Sequence, residues 1–346
     1  MKKIRLAIAG SGAISHAHMW GIQKIEEAEL VAIHDIHPEQ MDSFRAEFPM
    51  DDKDCYDSMD EMLKRDDIDA VLVCASDGAH CELTVKSLRA GKDVLCEKPM
   101  ALKVDECREM IRVAEEEGKR LMIGQVCRKA PGFIKAKELI ESGEIGEVFF
   151  VESEYAHDYA HIPGIDNWRK VPERQPIIGG GCHAVDLLRW LVGDPTEVFA
   201  YANHKMLEGW PIDDCVVSVL KFPKDVIGKV FTSIGCKRKY TMRTVIYGSK
   251  GTIITDNTSD TISLFKETLE GSETNYGTAS QSIEIKIPVE VNSHNMAGEI
   301  RDLINCIVND LPAEPDGKQG FYTVAVCDAI MRSSKTGEKV VIDYTV

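Results

Sequence analysis

The glycine-rich turn Gly10-Ser11-Gly12-Ala13-Ile14-Ser15 constrains this chain more than any other feature, because it joins the apolar run Ile4–Ala9 directly to a segment of helical character. A turn of that kind gathers backbone N–H groups at a helix N-terminus, where the aligned peptide dipoles favour an anion. Gly10 permits the tight turn, Gly12 lets a ligand approach the backbone, and Ser15 is small enough for helix and strand to pack closely. The surrounding pattern repeats. Short apolar runs at Ile4–Ala9, Leu30–His34, Ala70–Cys74, Val94–Cys96 and Leu121–Ile123 alternate with helical patterns such as Ala79–Ala90, which Gly91 closes. Uniformly apolar strands are buried on both faces, and their alternation with helices predicts a parallel sheet with right-handed crossovers, hence a doubly wound α/β domain of the Rossmann type.

A chain of 346 residues exceeds what one core usually supports, so the reading is two domains, 1–125 and 126–346, with a cleft between them. Beyond residue 125 the pattern changes to a few helices and then alternating strands such as Cys215–Phe222, followed by helical segments at Met296–Asn309 and Gln319–Ser334. That order predicts an α+β domain with a largely antiparallel sheet. The net charge of −16 disfavours nucleic acid and anionic membranes as partners. The 11 cysteines lie singly, without the CxxC spacing of a zinc or redox site, and read as reduced thiols. No apolar run has membrane length, so the expected location is the cytoplasm, and no clustered ligands suggest a metal.

Asp35 follows the second strand, about 20 residues beyond the turn, where a carboxylate accepts ribose hydroxyls and repels a 2′-phosphate. The turn and Asp35 together predict NAD, with Gly10, Gly12, Ala13, Ile14, Asp35 and Ser76 as contacts. Cys96-Glu97-Lys98-Pro99 ends the fourth strand, at the sheet edge where ligands of open parallel sheets bind. Lys98 is therefore a candidate acid–base residue, and Pro99 is suited to a cis bond. Across the expected cleft, Gly179-Gly180-Gly181-Cys182-His183-Ala184-Val185-Asp186 leads into an apolar helix. It offers His183 as a base for a hydroxyl proton, with Asp186 on the same helical face. His16, His18 and His80 read as helix-start residues outside the chemistry, and Asn292 or Ser293 as the cap of the helix after His294.

These residues resemble the glucose-fructose oxidoreductase, inositol dehydrogenase and rhizopine-catabolism family, Gfo/Idh/MocA, over essentially the whole chain. The likeness is carried by the glycine turn, Ala90-Gly91-Lys92-Asp93-Val94 leading to Glu97-Lys98-Pro99, and Gly143-Glu144-Ile145-Gly146. It continues through Trp168-Arg169, Gly179-Gly180-Gly181, His183-x-x-Asp186 and Leu188-Arg189-Trp190-Leu191. The resemblance implies NAD-dependent oxidation of a secondary hydroxyl on a sugar, glycoside, cyclitol or related polyol, with Lys98 and His183 as the acid–base pair. It further implies that Glu97 lies near the nicotinamide ribose and that Trp168-Arg169 approaches the cofactor. Arg128 and His157 fall at substrate contacts, and a large open sheet in the second domain packs against another subunit of a homo-oligomer. Many relatives carry an aspartate four residues before the histidine, where this chain has Gly179. Asp158 is the first candidate to replace that carboxylate and Asp186 the second. Two rival readings are a glycoside oxidoreductase that retains and recycles its NAD for deglycosylation or elimination, and a non-catalytic NAD or sugar sensor.

Overall fold

Ile4–Ala9 (β1) is buried at every position but Arg5, so its residues have no side on which to meet water. It forms the middle of a sheet in the computed structural model, which describes residues 3–274 and 277–346, with side chains outside 268–281. The elements that follow are Ala13–Ile22 (α1), Ala28–His34 (β2), Pro38–Glu47 (α2), Cys55–Tyr56 (β3) and Met59–Leu63 (α3). Next come Ala70–Val73 (β4), His80–Arg89 (α4), Asp93–Glu97 (β5), Val104–Glu117 (α5) and Leu121–Gly124 (β6). The six strands pair in the order β3-β2-β1-β4-β5-β6, all parallel. The doubly wound α/β reading holds. Of these strands, β3 has only two residues and no apolar run to announce it.

Beyond β6 lie Pro131–Glu141 (α6), Val148–Ala156 (β7), Pro176–Gly179 (α7), Cys182–Val192 (α8), Glu197–Asn203 (β8), Cys215–Lys221 (β9) and Ile227–Ser233 (β10). Then follow Thr241–Gly248 (β11), Gly251–Asp256 (β12), Thr261–Thr274 (β13), Gly277–Pro288 (β14), Met296–Val308 (α9), Gly317–Thr336 (α10) and Val340–Val341 (β15). Nine strands form one sheet, β14-β13-β12-β11-β7-β10-β9-β8-β15, antiparallel except where β7 and β10 run parallel. Two compact units emerge. One comprises Met1–Val126, Asn295–Ala325 and Tyr344–Val346, and the other Cys127–His294 and Val326–Asp343.

In the first unit, α9 packs on α1 and adds Ala297, Ile300, Leu303, Ile304 and Cys306 to a core containing Leu6, Ile8, Ile22, Phe44 and Phe48. Gly21 allows this approach, since a Cβ there would stand 3.0 Å from the Ala297 nitrogen. In the second unit, α8 covers one face of the sheet while β9 alternates strictly, burying Val216, Ser218 and Leu220 and exposing Val217, Val219 and Lys221. No helix among the described residues is long and apolar enough to cross a membrane.

Gly10 is the position on which the parallel sheet's upper edge depends. Its φ of +99° is one that side chains rarely adopt, and a Cβ there would lie 2.5 Å from the Ala75 backbone beyond β4. Gly10→Ala should therefore lower the unfolding free energy by more than about 2 kcal/mol and weaken NAD binding. Denaturant unfolding and a fluorescence titration with NADH check both effects.

Candidate functional site

The residues singled out in the first unit collect at the carboxyl edge of its sheet. β1 and β4 are neighbours whose chains leave toward opposite sides, which opens a crevice between their ends. Gly12 caps α1 in an extended conformation, and no side-chain cap or first-turn acid competes for the amides there. A Cβ on Gly12 would meet only Gln40 Oε1, at 3.8 Å, so the space above Ala13 and Ile14 is open. Asp35 stands beside the turn: Oδ2 accepts the Ser11 N–H at 2.6 Å and the Ser11 hydroxyl at 2.8 Å, and Oδ1 accepts the His37 N–H at 2.8 Å. Ser76 begins the single turn Asp77–Ala79 after β4. An open helix N-terminus with a carboxylate one strand away fits NAD, the amides receiving pyrophosphate and the spare Asp35 lone pairs the ribose hydroxyls.

Two buried histidines fix the turn at the end of β5. His18 Nε2 donates to Glu97 Oε1 at 2.8 Å, and Glu97 Oε2 accepts the Lys98 N–H at 3.1 Å. Burial opposes the charge on Glu97, but these donors and the Lys98 ammonium outweigh it and hold the carboxyl down at about 2. The Glu299 carboxylate, from α9, joins them, with donor atoms of all three residues within 4.8 Å of one another. On the other side of the turn, His80 Nδ1 faces the Pro99 carbonyl at 2.8 Å and Nε2 the Ala75 carbonyl at 3.1 Å. Carbonyls only accept, so both contacts are made only by the doubly protonated ring. Burial alone would depress the His80 pKa, but Cys96, Asp77 and the Pro99 carbonyl raise it to about 9. Lys98–Pro99 is a cis bond, and Lys98 is half-buried.

His18 lies inside the unit rather than on an exposed first turn. The signal was its spacing from Ser15 and Ile22, which places all three on the inward face of α1.

In the second unit each residue of the run Gly179-Gly180-Gly181 yields its side-chain space to a neighbour. A Cβ at 179 would strike Arg174 Nη1 at 2.3 Å, at 180 the Tyr155 ring at 2.4 Å, and at 181 the Thr232 hydroxyl at 2.3 Å. The run leads α8 in close to the sheet and seats His183 against Tyr155, their rings stacked with centroids 6.0 Å apart. His183 is buried, and its Nδ1 lies 3.2 Å from Cys127 Sγ. Around it stand Tyr240, His157 and His294. The His157 and Tyr240 centroids are 4.8 Å apart, and those of Tyr240 and His294 5.6 Å. The Tyr155 hydroxyl meets that of Tyr159 at 2.8 Å and His157 Nδ1 at 3.3 Å.

Arg128 and Asp186 pair with each other, through Nε–Oδ2 at 2.8 Å and Nη2–Oδ1 at 2.7 Å, both buried. The Asp158 carboxylate accepts from Lys237 Nζ at 2.8 Å and from the Ala160 N–H at 3.1 Å. The Trp168 ring meets two guanidinium groups, that of Arg169 at 4.2 Å from its centroid and that of Arg174 at 4.8 Å. Cys127, Tyr155, Tyr240 and Arg174 carry no motif of their own. Only the strand register, which sets Met242 opposite Tyr155, signals part of the grouping.

Residues 4–125 match the model of an oxidoreductase family's NAD-binding Rossmann fold, and residues 137–342 that of the same family's C-terminal alpha/beta domain. The chain is 29% identical over 273 residues to a myo-inositol 2-dehydrogenase of Thermotoga maritima, covering 75% of this chain and 77% of that one. It is 34% identical over 220 residues to a 2,7-anhydro-N-acetylneuraminate hydratase of Mediterraneibacter gnavus, covering 62% of this chain and 56% of that one. A levoglucosan dehydrogenase solved with NADH and L-sorbose superposes with a TM-score of 0.86 at 19% identity, over 99% of this chain and 100% of that one.

The doubly bonded His80 ring has a measurable signature. A folded-state pKa above the unfolded one stabilises the protein fully below pH about 6.5 and ceases to do so as pH rises through about 9. Across that window the stability advantage of the native protein over His80→Gln should shrink by roughly 3 kcal/mol. Urea unfolding of both proteins at a series of pH values checks it.

Proposed function

Because this chain belongs to the Gfo/Idh/MocA oxidoreductase family and is an NAD-binding enzyme, we propose that it oxidises a secondary hydroxyl of a sugar, cyclitol or glycoside to the ketone, with Lys98 and His183 as acid–base residues. The observation that carries the reading is the buried imidazole of His183, backed by Cys127 and Tyr155 and surrounded by His157, Tyr240 and His294. Aromatic faces suit the C–H surfaces of a sugar or cyclitol ring, and the phenol and imidazole edges suit its hydroxyls.

A bound nicotinamide supplies the acceptor for the hydride that leaves the carbinol carbon. We assign the uptake of the hydroxyl proton to His183 Nε2 and the second acid–base role to the Lys98 ammonium. Glu97 and His18 hold the backbone that carries Lys98. Trp168 and Arg169 belong to the cofactor's surroundings and His157 to the substrate's. We assign Arg128 and Asp186 to each other and Asp158 to its ion pair with Lys237, roles that do not require the substrate. The cysteines, read as reduced thiols, suit a reducing compartment such as the cytoplasm.

The relationship to the myo-inositol 2-dehydrogenase supports a cyclitol or sugar substrate. The hydratase relationship favours a second reading, in which NAD stays bound and an oxidation is reversed after elimination or water addition. Purified protein that carries NAD and turns over without added cofactor would select that version.

The open face of the large sheet carries Phe150, Phe199, Tyr201, Val217, Val219, Ile227 and Phe231. Among them Tyr201 is 66% and Val219 52% exposed. We assign this face to a second copy of the chain, since these exposed apolar side chains, interleaved with Glu152, Glu154, Lys221 and Lys229, suit an interface between like surfaces. Replacing Tyr201 and Val219 together by Glu should shift the species seen by light scattering to the monomer.

The direct test of the activity is a nicotinamide-reduction screen over free sugars, inositols, sugar acids and glycosides with NAD. Lys98→Ala and His183→Ala should each lower kcat on the best substrate by roughly 10²–10⁴-fold. The affinity for NAD should be left within a few-fold. Unchanged turnover in either variant would remove that residue from the chemistry.

A further inference from the structure

The imidazole of His183 has a sulfur atom behind it where such bases commonly have a carboxylate. Cys127 Sγ lies 3.2 Å from His183 Nδ1 and 3.2 Å from Met242 Sδ, and all three residues are buried, Met242 completely. A thioether has lone pairs and no proton, so Met242 only accepts. The thiol has one proton, and these two contacts compete for it. Given to Nδ1, it would leave two sulfur atoms lone pair to lone pair at a separation shorter than their van der Waals contact. Given to Met242, it relieves that contact and leaves the Cys127 sulfur as an acceptor toward the ring. The Tyr240 hydroxyl, 3.3 Å from the same Met242 sulfur, adds a second donor to it.

We propose that Cys127 is the positioning residue of His183: its S–H donates to Met242 and its sulfur accepts the Nδ1–H, so that the neutral ring carries its basic lone pair on Nε2. The inference rests on the reading of His183 as the base and adds to it a group that selects the tautomer. The stacked Tyr155 ring fixes the plane of the imidazole, and Cys127 fixes which nitrogen holds the proton. The partner is neutral, so it orients the ring without the charge stabilisation a carboxylate gives an imidazolium. No electron or bond changes hands at the sulfur. Cys127 acts through His183 and does not touch the substrate.

The wrong tautomer in a base–orienter pair is expensive for turnover while leaving binding intact. Cys127→Ala should lower kcat on the order of 10²-fold with KM and NAD affinity within a few-fold, and Cys127→Ser should recover most of it, because a hydroxyl also donates and accepts. Met242→Leu keeps the thiol but removes its acceptor, turning the S–H toward Nδ1, so kcat should fall in that variant too. The readout independent of activity is nitrogen-15 NMR of histidine-labelled native protein above the ring's titration, with His183→Asn identifying the signal. Protonated Nδ1 and unprotonated Nε2 are expected. The opposite tautomer in the native protein, or native kcat in Cys127→Ala, overturns the proposal. If no substrate turns over, the dehydrogenase reading fails and the NMR tautomer still decides this one.

Discussion

A buried carboxylate at the edge of a parallel sheet must be satisfied by donors, and Glu97 is satisfied by the groups that define the cofactor half of this protein. His18 reaches it from α1, the helix that begins at the glycine turn, and the Lys98 N–H reaches it from the next residue. The helix that begins at the glycine turn and the backbone that carries Lys98 are thus tied to the same side chain. Removing the charge of Glu97 would leave buried donors unpaired and loosen both. His80 repeats the arrangement from the opposite side, joining the end of β4 to Pro99 through two carbonyls. The position of Lys98 is therefore a property of a network extending across α1, β4, β5 and α9.

The second unit holds the imidazole of His183 by different means. Three glycines remove side chains where Arg174, Tyr155 and Thr232 come closest, and the helix they lead into carries His183 in its first turn. The imidazole is then held by a ring on its face and a sulfur on its edge. Arg174, filling the space beside Gly179 and donating to its carbonyl at 2.9 Å, accounts for the glycine at this position.

Much of this was legible in the sequence, for physical reasons. Strands buried on both faces must be largely apolar, so β1, β4, β5 and β6 stand out as runs, and β2 does so from Leu30 onward. Gly10, Asp35, Lys98 and His183 are visible because each is a distinctive residue type at the end of a strand or the start of a helix. What tertiary neighbours decide was not visible. Nothing local marks the order of the nine-stranded sheet, its one parallel pair, or the packing of α9 on α1, since an amphipathic helix fits several surfaces equally well. Cys127 reads as one scattered thiol among eleven, and only the pairing of β7 with β11 brings Met242 to its side of the sheet. His18, read as a surface residue of the first helical turn, is buried because α9 covers the face on which it lies.

The central claim is that a carbinol C–H of a sugar or cyclitol is broken and its hydrogen passed to the bound nicotinamide. Its most direct test is a single turnover with the best substrate deuterated at the reacting carbon, followed by mass spectrometry of the recovered nicotinamide. The account predicts deuterium on the nicotinamide ring, appearing roughly 10²–10⁴-fold more slowly when Lys98→Ala or His183→Ala replaces the native protein. A product formed while the nicotinamide remains free of label would contradict it.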